Sequence, residues 1–124
     1  MDDGEMVKQL VLLAISYTKQ ALSKVYPESG TIDFAKIQRH PVYATSKGIE
    51  HFVFMDCKVV LIASSETKSF RSKAQFTLNG DEVKPQLLEL KFTVSNSTQQ
   101  FYFREENENG QPVYRMWESN HINM

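Results

Sequence analysis

The spacing of apolar residues changes period once along the chain, and that change limits the fold more than any other feature. Up to Tyr26 the period is helical. At 100° per residue, Val7, Leu10, Val11, Ala14, Tyr17, Ala21 and Val25 fall on one stripe, which Leu13, Ile15 and Leu22 widen. Lys8, Gln9, Ser16, Lys19, Gln20 and Ser23 form the polar arc, with Leu12 alone among them. Asp3 is placed to cap this helix. Tyr26-Pro27 ends it, because the residue before proline is pushed out of the α region.

From residue 50 onward the period is two. His51 to Ala63 is a long β-branched and aromatic run, with Cys57 on one face of it beside Val53, Met55, Val59 and Leu61. Phe70, Ser72, Ala74, Phe76 and Leu78 alternate with Ser69, Arg71, Lys73, Gln75 and Thr77. Leu88, Leu90, Phe92 and Val94 alternate with Glu89, Lys91 and Thr93, and Phe101 and Phe103 with Tyr102 and Arg104. Turn signals separate the runs: Ser64-Ser65-Glu66-Thr67, Asn79-Gly80-Asp81, Asn96-Ser97-Thr98 and Glu108-Asn109-Gly110. Connections this short imply antiparallel neighbours.

The expected fold is therefore α+β: one long N-terminal helix packed on a four- to five-stranded antiparallel meander, in a single domain over residues 1–124. The helix is expected at about 4–26, a connector at 27–48, the sheet at about 50–117 and a short C-terminal tail after it. In the connector, Ile32, Phe34 and Ile37 are suited to tuck under the helix, and Val42-Tyr43-Ala44 has the composition of a short strand. The pattern resembles the cystatin-like architecture, in which a sheet wraps a long helix. Inhibitory cystatins carry Gln-x-Val-x-Gly on their first hairpin; the corresponding place here reads Asp56-Cys57-Lys58-Val59-Val60, without glycine. The resemblance thus implies topology and not protease inhibition.

Charge narrows the partners. Fourteen Lys and Arg nearly cancel fifteen Asp and Glu, leaving −1, and the two halves of the chain are equally balanced. That argues against nucleic acid and acidic membranes as partners, because both need a wider positive field. Within residues 69–78 the parity also sets Phe70 and Phe76 opposite Arg71 and Lys73, so aromatic and basic side chains of that run do not share a surface. The acidic start Met1-Asp2-Asp3-Gly4-Glu5 does not suit a secretory leader, and Leu10 to Ile15 is too short to span a bilayer. With one cysteine, and so no internal disulfide, the chain is expected to be soluble and cytoplasmic.

Catalytic constellations are not expected. His40, His51, His121 and Cys57 lack metal-ligand spacing, and no nucleophile elbow or phosphate-binding glycine loop occurs. Glu105, Glu106 and Glu108 precede a hairpin tip, where carboxylates are simply solvated. No cofactor is expected. Asn96-Ser97-Thr98 matches a glycosylation sequon but is also ordinary turn chemistry.

These features favour a non-catalytic protein of the inhibitor, immunity or adaptor kind. Arg71, Lys73, Lys91 and Arg104, on the sheet face away from the helix, would meet an acidic surface of a protein partner. Trp117, if exposed, would be a contact hot spot. The alternative is a pocket between helix and curved sheet, lined by some of the chain's aromatic residues and holding a small ligand or substrate. A homodimer could form through an exposed sheet edge or through Leu12.

Overall fold

A computed structural model describes residues 3–94, 97–109 and 111–123. Helix α1 spans Asp3–Val25 and is followed by a 3-10 turn at Phe34–Lys36. Six strands follow: β1 Gln38–Lys47, β2 Glu50–Val60, β3 Thr67–Asn79, β4 Glu82–Val94, β5 Ser97–Glu108 and β6 Gln111–Asn123. They form one antiparallel sheet in the order β1-β2-β3-β4-β5-β6, a meander without crossovers. At about 1.5 Å per residue a helix of this length covers roughly 35 Å, more than the roughly 24 Å between the outer strands of a six-stranded sheet. It accordingly touches β1, β2, β3, β4 and β6.

The sheet has six strands where four or five were expected, because both of its ends reach further. Most of the second half of the expected connector is β1, whose Val42 packs against the core opposite Met55 of β2. At the other end, β6 runs to Asn123 and pairs along the whole of β5, so the expected tail is strand. Backbone N–H and C=O groups of β5 that water would otherwise satisfy are bonded by this added strand.

The core follows the two periods. Leu10, Ala14, Ala21 and Leu22 of α1 meet Val53, Met55, Cys57 and Val59 of β2 and Phe70, Ala74 and Phe76 of β3. Leu88, Leu90 and Phe92 of β4 and Phe101 and Phe103 of β5 complete it. Leu12 is 63% exposed, as its place on the polar arc requires. In the connector Ile32 is buried and bridges Leu61, and Ile37 packs against the core. Phe34 differs from expectation: it stands exposed in the 3-10 turn, which Asp33 caps by accepting the Ala35 N–H at 3.0 Å.

One polar contact interrupts this interface. Thr18 and Ser72 are both buried, and their hydroxyls lie 2.8 Å apart. Small residues flank the pair, Ala14 and Ala21 on the helix and Ala74 on the strand, and allow the two backbones to approach. Each hydroxyl removed from water is satisfied by the other. Ser72→Ala should therefore lower stability by about 1–3 kcal/mol, the cost of one stranded buried hydroxyl. Adding Thr18→Val should recover much of that loss. Urea denaturation of both single variants and the double variant measures the coupling, and strict additivity would mean that the hydroxyls do not depend on each other.

Candidate interaction face

Strand alternation sends one set of side chains to the helix and the other to the opposite, outer face. On β2 the outer set is Phe52, Phe54, Asp56 and Lys58; on β3 it is Ser69, Arg71, Lys73 and Gln75. The register aligns these into rows across the sheet. One row runs Tyr43, Phe54, Lys73, Glu89 and Tyr102 from β1 to β5. The next runs Asp56, Arg71, Lys91 and Gln100 from β2 to β5.

Three rings form a continuous cluster at the β1 side. Tyr43 stacks on Phe54 with centroids 5.1 Å apart and planes at 14°, and Phe52 lies 6.4 Å from Phe54. The Lys73 ammonium sits 5.4 Å from the Phe52 centroid and 5.9 Å from that of Phe54. Lys73 is directly opposite Glu89 on β4, yet its ammonium reaches the other way, over the ring faces. The negative face of an aromatic ring attracts such a cation. In the adjacent row Arg71 Nε donates to Asp56 Oδ1 at 2.9 Å. Both side chains are about half exposed, so the pair contributes little to stability. This hydrogen bond, and then the carboxylate charge, push the Arg71 pKa up further.

Between these rows opens a groove of about 770 Å³ on the face away from the helix. Its charged lining is Lys58, Arg71, Lys73 and Lys91 against Asp56 and Glu89, two positive charges in excess, whereas the whole chain carries −1. Lys58, Lys73 and Lys91 have no carboxylate partner among the described residues.

Of the residues singled out from sequence, Arg71, Lys73 and Lys91 are brought together here. Arg104 shares the outer face but stands opposite Leu87 on β5, outside the groove lining. Phe70 and Phe76 are buried under the helix, as their parity requires. The separation of aromatic from basic residues nevertheless fails across strands, because Phe52 and Phe54 of β2 lie on the face of Lys73. Their signal was present: with Val53, Met55, Cys57 and Val59 turned inward, Phe52 and Phe54 must point outward.

Other candidates have different settings. Cys57 is buried, and the loss of solvation pushes its thiol up to about 12. The Arg39 charge pulls it down in part and that of Asp56 pushes it up. A thiol so fully protonated is no nucleophile near neutral pH. Glu106 pairs with Arg115 at 2.9 Å. Among the described residues, no group of three or more His, Cys, Asp or Glu is placed to hold a metal ion, and no helix is long and apolar enough to cross a membrane. Asn96 lies outside the described residues, as do the side chains of His40, Glu108, Trp117 and His121.

Comparisons with protein-family models, curated proteins and solved structures find no match to this chain.

Proposed function

We propose that this is a non-catalytic binding protein whose outer sheet face takes an acidic segment of a partner protein. The observation that carries this reading is the set of three lysines, Lys58, Lys73 and Lys91, without carboxylate partners among the described residues, around a groove with an aromatic wall. Their charge steers an acidic segment in, and the exposed ring of Tyr43 offers a stacking partner for an aromatic residue of that segment. Arg104 extends the positive strip on β5.

A polypeptide fits this lining better than a nucleic acid strand. Its backbone N–H groups can satisfy Asp56 and Glu89 while its carboxylates meet the lysines. A phosphodiester backbone brings only negative oxygens to those two carboxylates. Fluorescence anisotropy at low salt separates the two, with a glutamate–tyrosine copolymer, polyglutamate and oligothymidylate as probes. The copolymer should bind most tightly, and Tyr43→Ala should reduce it to the level of polyglutamate. Tighter binding of oligothymidylate, or no binding of either polypeptide, would overturn the reading.

A further inference from the structure

β1 is one edge of the sheet, so one side of its backbone has no neighbouring strand among the described residues. Open edges are normally blunted by charge, proline or a bulge, because they otherwise pair with other chains. β1 carries such devices only at its ends. Pro41 and a register shift between Arg39 and Val42 mark its start, and Lys47 stands before the turn at its finish. The intervening Val42-Tyr43-Ala44-Thr45-Ser46 has neither charge nor proline and pairs regularly with β2 on its other side. Tyr43 to Ser46 are all exposed. The opposite edge, β6, is broken up in sequence by Pro112, Arg115 and Glu118.

We propose that a second copy of this chain covers the β1 edge, the two β1 strands pairing antiparallel about a two-fold axis at Ala44. A symmetric contact needs a patch complementary to itself. A two-fold axis perpendicular to the sheet keeps outer face with outer face, so opposed residues share parity and the axis passes midway between one residue and its own copy. Centred on Ala44, the pairing sets Ala44 against Ala44 of the second copy, Tyr43 against Thr45 and Val42 against Ser46. Tyr43 and Thr45 both lie on the outer face, opposite Phe54 and Phe52 of β2, and an aromatic beside a β-branched residue is a favourable cross-strand pair. Moving the centre to Tyr43 would oppose Lys47 to Arg39 and place Pro41 within the ladder. Moving it to Thr45 would draw the Gly48 turn into the ladder against Val42. Only the Ala44 centre leaves the charges, the proline and the turn outside the uncharged stretch.

The result is a continuous sheet of two protomers with both helices on one side and both aromatic clusters adjoining on the other. This dimer does not depend on the docking of an acidic partner. Directly opposed residues in an antiparallel pair have Cα atoms about 4.5–5.5 Å apart, within disulfide reach. Ala44→Cys should therefore cross-link the full chain under mild oxidation, while Lys47→Cys, beyond the paired stretch, should not. The native Cys57 is buried and does not compete. Sedimentation of the unmodified protein over a wide concentration series should show a monomer–dimer equilibrium. Ala44→Glu should shift it to monomer with an unchanged circular dichroism spectrum, because that position is exposed. A protein that stays monomeric throughout, a dimer that survives Ala44→Glu, or equal cross-linking at both cysteine positions would overturn the proposal.

Discussion

Reversing Lys73 and Lys91 to glutamate is expected to slow association with an acidic partner by about 10-fold or more at low salt, with a smaller change in dissociation. Both lysines line the outer groove, and neither has a carboxylate partner among the described residues, so no ion pair within the sheet is lost. The proper control is Lys8→Glu with Lys19→Glu on the exposed arc of the helix, which changes the net charge by the same amount on the opposite side of the molecule. Only the sheet variant should lose binding. Equal losses would make the effect one of overall charge. Arg71→Glu is less clean, because it sets a second carboxylate beside Asp56, 2.9 Å from where the guanidinium donates. Raising the salt concentration should erase most of the difference between the two double variants, since exposed charges are screened.

Alkaline pH is expected to unfold the protein earlier than the same chain with Cys57→Val. The thiol's ordinary value is 9.0, and burial pushes it up to about 12 in the folded state. A group raised on folding contributes stability that is complete below its unfolded pKa and is lost as pH rises toward its folded one. The window for Cys57 is therefore pH 9 to about 12. At pH 10.5 the loss from this group alone amounts to about 2 kcal/mol. Tyr17 and Tyr26 shift in the same direction, first by burial and then by the charges of Glu105 and Glu66 respectively, so their contribution begins to fall above pH 10.0. Urea midpoints of both proteins at pH 8 and pH 10.5 isolate the thiol, because the tyrosines are common to both. Parallel declines would mean that Cys57 ionises as readily in the folded protein as in the unfolded chain.

Local periodicity made α1 and the inner faces of β2 to β5 legible. The stripe through Leu10, Ala14 and Leu22 and the alternation through Phe70, Ala74 and Phe76 are each set within a few residues, and both are buried. What was not legible depends on pairing between distant segments. Of β1 only Val42-Tyr43-Ala44 was legible, and its full length is held as strand by its ladder with β2. The buried Thr18–Ser72 contact joins residues 54 positions apart: the helical period sets Thr18 on the apolar stripe and alternation turns Ser72 inward, but only the packing of helix on sheet brings the two hydroxyls together. The outer face was half legible. Parity placed Arg71, Lys73 and Lys91 together, and the same rule applied to β2 would have added Phe52 and Phe54. Register was needed to put Tyr43 on Phe54 and Asp56 beside Arg71. That Lys73 turns toward two rings instead of its opposed carboxylate follows from side-chain geometry, which alternation alone does not carry.

The docking face is tested most directly by titrating isotopically labelled protein with the glutamate–tyrosine copolymer and following backbone amide shifts. Binding through the outer sheet face should move amides of Tyr43, Phe54, Arg71, Lys73 and Lys91, and leave those of Lys8, Leu12 and Lys19 on the exposed side of the helix in place. Shifts confined to the helix, or none at saturating copolymer, would contradict the assignment of that face.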